Sequence, residues 1–201
     1  GTEEYFYLES AEGLVSEAQM DTMEFHVWGS RVDELEHPDT MVFDLDPDKG
    51  LDLEQVRRGV RDLKGLLDDL SLTSFLKTSG GKGYHVVLPF QPAASWDAFH
   101  DFARRIAQVM AEKWPDRYTS NVRLAKRNGK IFIDWMRNGR GATSVAPYSL
   151  RARQGAPVSA PLAWDELDTV APDAIHLEAA LTRAASPDPW KGYFDVDQGL
   201  G

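Results

Sequence analysis

The stretch "MVFDLDPDKG", residues 41–50, combines a run of β-favouring apolar residues with two aspartates one residue apart. Residues two apart in a strand point to the same face of the sheet, so Asp44 and Asp46 are predicted to hold two negative charges side by side. Neighbouring like charges on a strand face are unfavourable. The stretch therefore predicts a strand that ends at Pro47 and carries an electrostatic cost that needs a compensating partner.

Regular patterns on both sides of this strand predict the rest of a core domain. Apolar residues at helical spacing indicate two helices, and β-type runs indicate three further strands. In chain order after the first strand (41–46), these elements are a helix over 52–70 with Asp52 as N-cap, strands over 72–77 and 84–89, a helix over 97–113 ended by Pro115, and a strand over 130–136.

The order strand, helix, strand, strand, helix, strand is typical of ferredoxin-like and RNA-recognition-motif-like α+β folds. In such a βαββαβ fold, two helices cover one face of a four-stranded antiparallel sheet, and the first strand lies between the third and the fourth. Asp44 and Asp46 are then flanked by His85 on the third strand and Asp134 on the fourth. The predicted fold therefore gathers acidic residues on the open face of the sheet.

The segments outside this core are predicted to be less regular. A helix over 10–21 and a short extended piece over 23–30 form a partial αβ module before the core. After it, small residues and prolines predict an irregular wrap with a short helix near 174–184 and a tail anchored by Trp190, Tyr193 and Phe194. We expect one domain over 1–201, with its core at about 38–137 and the wrap at 138–201.

Composition excludes some classes of function. The 201 residues contain no cysteine, which rules out disulfides and thiolate metal sites. No apolar run approaches the roughly 20 residues of a membrane span, so no membrane contact is expected and a cytoplasmic location is the default.

The charge is distributed unevenly along the chain. The formal net charge is −10, but residues 123–153 hold eight basic residues against Asp134 alone, and the remainder is correspondingly more acidic. Such a local concentration is typical of a phosphate-binding surface. A solvated basic face is the alternative, since charge patterns alone are weak evidence.

Three carboxylates on one sheet face suit divalent cations that prefer oxygen ligands, Mg²⁺ or Mn²⁺. Two such ions, bridged by Asp44, Asp46 and Asp134, can activate a hydroxyl nucleophile and stabilise an in-line displacement at phosphorus. The alternative is that Asp46, just before Pro47, only starts a turn. The third aspartate, also in an apolar strand, favours the metal.

The glycine-rich stretch "TSGGKGYH", residues 78–85, is a second candidate site. Its backbone N–H groups at Gly80, Gly81 and Gly83 are predicted to cradle phosphate, with Ser79 and Lys82 as further donors. It lacks the spacing and the following helix of a P-loop, and a plain hairpin turn is the alternative.

Several basic side chains are candidates for binding the same phosphates. Arg151 and Arg153 in "YSLRAR" share a face if the segment is extended, and Arg127 is predicted to approach the site from the sheet edge. Solvated arginines are the alternative for the first two. His85 is a candidate phosphate donor, but taken singly it fits a buried structural histidine better, and the same holds for His26.

These stretches, together with "HVWGSR", "IFIDWMRNGRGATSVAPYSLRAR" and "GAPVSAPLAWDEL", resemble the polymerase/primase domains of bacterial ligase D proteins, in the archaeo-eukaryotic primase superfamily. The resemblance runs from about residue 5 to residue 196. It implies a catalytic RNA-recognition-motif-like core and the following roles: metal-binding Asp44, Asp46 and Asp134; phosphate-contacting Ser79 and His85; triphosphate-binding Arg151 and Arg153; and supporting residues His26 and Arg127.

The resemblance also implies an activity. The expected function is a metal-dependent nucleotidyltransferase that adds ribo- or deoxyribonucleotides to a primer 3′-hydroxyl at DNA gaps or double-strand-break ends, during non-homologous end joining. Nucleoside triphosphates, the Ku protein, and a DNA ligase domain or chain are the expected partners, in the bacterial cytoplasm at the nucleoid.

Relatives usually carry a further N-terminal segment before the point where this sequence begins. One alternative is therefore an inactive module that binds nucleotides or DNA ends, and another is a metal-dependent nuclease. Primer extension, binding without extension, and primer shortening distinguish the three.

Overall fold

The computed structural model describes residues 4–200. Within that range it contains α-helices α1 (Ala11–Gln19), α2 (Leu53–Asp69), α3 (Trp96–Lys113) and α4 (Leu177–Ala184). The strands in the same range are β1 (His26–Val27), β2 (Thr40–Pro47), β3 (Phe75–Thr78), β4 (Tyr84–Pro89), β5 (Tyr118–Thr119), β6 (Ile131–Asp134), β7 (Ser144–Val145), β8 (Ser149–Leu150), β9 (Val158–Ser159) and β10 (Pro161–Leu162).

The main sheet has six strands in the order β10-β3-β4-β2-β6-β5. Strand β2 lies between β4 and β6, which confirms the predicted place of the first strand between the third and the fourth. Its neighbours pair antiparallel to it, and β3 pairs antiparallel to β4. Two short edge strands extend the predicted four-stranded sheet, namely β10 and β5, and β5 pairs parallel to β6. The α+β fold class is therefore confirmed.

Two of the predicted strand boundaries were wrong, each for a local reason. Leu72 is still tied to the C-terminal end of α2, because its N–H donates to the Leu67 carbonyl at 2.9 Å, and β3 begins only at Phe75. Strand β6 ends at Asp134 rather than at residue 136. The Asp134 carboxylate accepts the Met136 N–H at 2.9 Å, and this bond turns the chain into a short 3₁₀ helix.

Helices α2 and α3 cover one face of the sheet and form the main core. The Asp52 carboxylate accepts the Gln55 N–H while the Gln55 side chain accepts the Asp52 N–H, a capping box that fixes the start of α2. The apolar stripe of α2 then packs on Phe43 and Leu45 of β2, and Phe99 of α3 joins the same cluster. This burial commits the odd-numbered apolar residues of β2 to the helices, so its even-numbered residues face the other side.

The C-terminal tail covers part of that other side. Trp190 packs on Val42 and Val87, and its indole N–H donates to the Leu76 carbonyl at 2.7 Å. The Tyr193 ring stacks on the Trp190 ring with centroids 5.1 Å apart. The predicted anchors Trp190 and Tyr193 are therefore confirmed, but Phe194 is 94% exposed. Successive residues of a 3₁₀ turn point in different directions, so the turn that directs Tyr193 inward leaves Phe194 outside.

The remaining segments match the predicted pattern of few regular elements. Residues 138–200 form two-residue strands, short turns and α4. Three of those strands pair outside the main sheet, β7 with β1 and β8 with β9. Helix α1 begins at its N-cap Ser10, inside the predicted range. No helix in the described range has the length and apolar character needed to cross a membrane.

The tail gives a stability prediction. Trp190→Ala removes a large buried ring from the sheet face, so the free energy of unfolding should fall by about 3–5 kcal/mol in a denaturant titration. Phe194→Ala is the matched control, because its ring is exposed, and it should change the free energy of unfolding by no more than about 0.5 kcal/mol. Equal effects of the two substitutions would contradict this role of the tail.

Candidate active site

A row of polar side chains crosses the sheet on the face opposite α2 and α3. Lys77 on β3 lies opposite His85 on β4, His85 lies opposite Asp44 on β2, and Asp44 lies opposite Asp134 on β6. Directly paired residues share a face, so the register alone places these four side chains in one line. The two aspartates and His85 therefore lie together as the strand order predicted.

Asp46 lies one step further along β2 on the same face, opposite Phe132. Its carboxylate accepts a hydrogen bond from Nη1 of Arg127, and the Arg127 guanidinium lies 4.7 Å from the centre of the Phe132 ring. Arg127 thus reaches the site, as predicted. This ion pair with Arg127 partly balances the negative charge of the Asp46 carboxylate.

The row concentrates charge in a poorly solvated place. Burial raises the pKa of the Asp134 carboxyl, and repulsion from Asp44 adds to this increase although Arg137 opposes it. Burial lowers the pKa of His85, and the Lys77 charge acts in the same direction. His85 Nε2 lies 3.5 Å from Asp44 Oδ2, and His85 Nδ1 is buried with no hydrogen-bond partner among the described residues. A neutral imidazole with one unused nitrogen follows from this arrangement.

The glycine-rich loop connects β3 to β4 at the end of the row. Ser79 N–H donates to the Gly83 carbonyl at 3.1 Å, so a tight turn closes the loop. Gly83 must lack a side chain, because a Cβ there would lie 2.4 Å from the Leu45 carbonyl oxygen. The Gly81 N–H donates to Ser79 Oγ at 3.2 Å, and its predicted contact with phosphate stays a prediction. Lys82 is exposed.

Arg151 and Arg153 both lie against this loop, although the segment that carries them is not extended. The chain turns after β8, with Arg153 N–H donating to the Arg151 carbonyl at 2.7 Å. Nη1 of Arg151 donates to the Ser79 carbonyl. A Cβ on Gly80 would lie 2.5 Å from Arg151 Cγ, and a Cβ on Gly81 would lie 3.2 Å from Arg153 Cζ. The two glycines therefore make room for the two arginines.

His26 lies on β1, which pairs with β7 beside the row. Its Nε2 lies 2.8 Å from the Glu24 carboxylate. Within residues 4–200, no hydrogen bond or ion pair joins His26 to the three aspartates. Through Glu24, which also accepts the Ala152 N–H, His26 is connected to the turn that carries Arg151 and Arg153 rather than to the acidic row.

The aspartates fit divalent metal ions in chemistry but are not arranged as a finished metal site. No group of three or more histidine, aspartate or glutamate side chains in the described range is placed to hold a metal ion. The Arg127 guanidinium pairs with the Asp46 carboxylate, and the Arg137 guanidinium lies beside the carboxylates of Asp44 and Asp134. Carboxylate oxygens are nevertheless the ligands that Mg²⁺ and Mn²⁺ prefer. The mutual repulsion of the buried carboxylates is a cost that a cation relieves.

Comparison with known proteins identifies the family. A family model described as "LigD, primase-polymerase domain" matches residues 1–190. The chain belongs to the LigD primase-polymerase domain family. This family comprises nucleotidyltransferases of non-homologous end joining that are generally metal-dependent.

Individual relatives agree with this assignment. The chain is 43% identical over 195 residues to the multifunctional non-homologous end joining protein LigD of Pseudomonas aeruginosa, covering 95% of this chain and 23% of that protein. It is 37% identical over 205 residues to the LigD protein of Mycobacterium tuberculosis strain H37Rv, covering 98% of this chain and 27% of that protein. The chain thus spans about a quarter of the length of these relatives.

A solved structure matches the fold as well. The polymerase domain of Mycobacterium tuberculosis ligase D in complex with DNA superposes with a TM-score of 0.82 and 34% sequence identity. The match covers 92% of this chain and 68% of that chain.

Arg137 lies beside the acidic row and was not among the predicted site residues. Its Nε lies 3.2 Å from Asp134 Oδ2 and its Nη2 lies 3.8 Å from Asp44 Oδ2. The Asn138 side chain accepts the Val42 N–H at 2.7 Å and donates to the Val42 carbonyl at 2.8 Å, which holds this turn against β2. The available signal was the short spacing between Asp134 and Arg137, which only the turn after β6 brings together.

Lys77 is a second residue that was missed. It is 1% exposed, and its ammonium group donates to the Val145 carbonyl at 2.9 Å and to Ser159 Oγ at 2.6 Å. It thereby fastens β7, and β1 paired to it, to the sheet. The available signal was a lysine at an inward position of the apolar strand "FLKT". Burial lowers the pKa of Lys77 to about 7.

A cavity of about 630 Å³ adjoins the row on the same face. Its lining includes Lys77 and Arg137 at one side and Trp190 with Tyr193 at the other, but none of the three aspartates. The open face is thus divided into a charged part over the row and an apolar part under the tail.

The buried Lys77 gives a pH prediction. Its pKa in the folded state is about 7 and its ordinary value is 10.5, so the unfolded chain binds more protons between these two values. Stability conferred by this position therefore rises with pH across that window. In denaturant titrations, the difference in unfolding free energy between wild type and Lys77→Met should shift in favour of wild type from pH 7 towards pH 10.

The control for this prediction is Lys49→Met, at an exposed lysine. Its difference from wild type should stay constant over the same pH range. A constant difference for Lys77→Met as well would show that the buried amine does not titrate as described.

Proposed function

We propose that the chain catalyses template-directed nucleotidyl transfer at DNA ends. A primer 3′-hydroxyl attacks the α-phosphate of a ribo- or deoxyribonucleoside triphosphate, a P–O bond forms to the primer, and pyrophosphate leaves. The observation that carries the proposal is the register of Asp44 opposite Asp134, in one row with His85, in a chain of the LigD primase-polymerase family.

Asp44, Asp46 and Asp134 are proposed to hold two Mg²⁺ or Mn²⁺ ions. Bound there, such ions supply Lewis-acid chemistry, which polarises the α-phosphate and lowers the pKa of the primer hydroxyl. Arg127 and Arg137 balance the charge of the same carboxylates. Ions held by the three aspartates would take over this role, and the guanidinium groups of Arg127 and Arg137 would then be available for phosphate oxygens.

The triphosphate is proposed to lie between the glycine-rich loop and the basic turn after β8. Arg151 and Arg153 lie directly against Gly80 and Gly81, and Lys82 is exposed beside them. Guanidinium groups suit phosphate because they donate paired, charge-assisted hydrogen bonds. Ser79 is proposed to donate its hydroxyl to a phosphate oxygen, and the unused nitrogen of His85 is a further partner at the row.

DNA with gaps or double-strand-break ends is the proposed nucleic-acid substrate. The similar polymerase domain of Mycobacterium tuberculosis ligase D is in complex with DNA, and the curated relatives are proteins of non-homologous end joining. Ku, and a DNA ligase domain or chain, are proposed as further partners. The proposed location is the bacterial cytoplasm at the nucleoid.

A labelled primer–template with ribonucleotides and Mn²⁺ tests the proposal directly. A lengthened primer supports it, binding without extension supports a module that only binds nucleotides or DNA ends, and a shortened primer supports a nuclease. No observation favours the inactive module, because the aspartates, the glycine-rich loop and the arginines are all present and close together.

Substitution of the acidic row gives a second test. Asp44→Asn or Asp134→Asn should reduce the rate of primer extension at least about a hundredfold, because each removes a charge from the reacting centre. Because the folded protein raises the pKa of Asp134, its ionised form costs stability at neutral pH. Asp134→Asn should therefore lose activity without any loss of unfolding free energy.

Asp68→Asn is the control for these variants, because Asp68 pairs with Lys64 on helix α2. It should extend primers at the wild-type rate. Full extension by Asp44→Asn or by Asp134→Asn would refute the roles assigned to the row.

A further inference from the structure

We infer that Glu24 is a positioning residue that orients Arg151 for the triphosphate, an inference that rests on the function proposed above. Glu24 belongs to none of the motifs considered so far. Its carboxylate lies 2.8 Å from the His26 ring nitrogen Nε2 and accepts the Ala152 backbone N–H at 2.5 Å. It also forms an ion pair with Arg151 Nε at 3.3 Å. One side chain therefore joins β1 to the turn that carries the basic residues.

The Arg151 side chain is held from two sides. Glu24 contacts its Nε, and the Ser79 carbonyl accepts from its Nη1. Its aliphatic part lies against Gly80, and the side chain is 13% exposed. Glu24 is thus the anionic half of a clamp whose other half is the glycine-rich loop.

The backbone around Glu24 is fixed independently of its carboxylate. Phe25 N–H donates to Ser149 Oγ at 2.8 Å, and Ala146 N–H donates to the Phe25 carbonyl at 2.9 Å. These bonds keep the chain at Glu24 next to β8 when the Glu24 side chain is changed. Removal of the carboxylate charge should therefore release Arg151 while the strands stay in place.

Glu24 is also suited to the task by its charge. Burial by itself would raise the pKa of its carboxyl, but hydrogen bonds from His26 and the Ala152 N–H, with the Arg151 charge, lower it to about 2. A carboxylate that stays ionised holds a guanidinium in one orientation. An arginine fixed beforehand loses less side-chain entropy when it binds phosphate, so affinity improves without a new contact to the ligand.

The test compares Glu24→Gln with Glu166→Gln. Glu166 is a matched control, because it also combines an arginine with a backbone N–H, pairing with Arg183 and accepting from Ala163, at similar exposure. It touches none of the proposed nucleotide-binding residues. Both proteins are assayed for primer extension with a ribonucleoside triphosphate, and calorimetry measures binding of a non-hydrolysable triphosphate analogue with Mg²⁺.

Glu24→Gln should raise KM and the Kd for the analogue about tenfold, equivalent to about 1.4 kcal/mol, with a much smaller change in kcat. Glu24→Asp should recover part of the affinity, because it restores the charge. In an Arg151→Ala background, Glu24→Gln should have no further effect on Kd, since the residue acts through Arg151. Thermal unfolding checks that each variant is folded.

Two results would overturn the inference. One is a folded Glu24→Gln protein whose KM and Kd match those of Glu166→Gln. The other is a loss of affinity that is as large in the Arg151→Ala background as in wild type. A wild-type protein that neither extends primers nor binds the analogue would overturn the proposed function as well, so the two failures are distinguishable.

Discussion

The pairing of Asp44 with Asp134 is the constraint on which the rest of the site depends. Antiparallel register puts two carboxylates on adjacent strands of one face, with Asp46 a step away. Repulsion between them opposes folding, and burial of Asp134 adds to that cost. The protein balances this charge with arginines that come from the turn after β6 and from the preceding loop, Arg137 and Arg127.

The uneven charge of the sequence follows from the same balance. Four arginines of the basic segment 123–153 return to the acidic row or to the glycine-rich loop, namely Arg127, Arg137, Arg151 and Arg153. The net charge of −10 is therefore a poor guide to what this face binds. A ligand at the row meets carboxylates and guanidinium groups together, which suits a metal-bound polyphosphate better than a bare anion or a bare cation.

Much of the fold followed from sequence because its signals are local. The alternation in "VFDLDP" and the capping residue Asp52 set strand and helix, and element order set the place of β2, so the line through His85, Asp44 and Asp134 was predictable. Arg137, Lys77 and Glu24 were not. Lys77 and Glu24 act through partners distant in sequence, Val145 and Arg151. Arg137 reaches Asp134 only because the Asn138 side chain holds the turn after β6 against Val42. The hydrogen bond between Arg127 and Asp46 was also missed. Arg127 was expected near the site, but only the folded loop shows that it contacts the Asp46 carboxylate.

Two of the missed charged residues, Lys77 and Glu24, hold the segments around the site in place. Lys77 holds the β1–β7 pair on the sheet through its hydrogen bond to the Val145 carbonyl. Glu24, just before β1, holds Arg151 against the glycine-rich loop. Both contacts act on the segment that carries His26, so that segment is fixed at two points. Ions held at the row would compete with Arg127 and Arg137 for the same carboxylates and would leave the two guanidinium groups in need of other anions. A triphosphate supplies the missing anions, so binding of metal and of nucleotide should each favour the other.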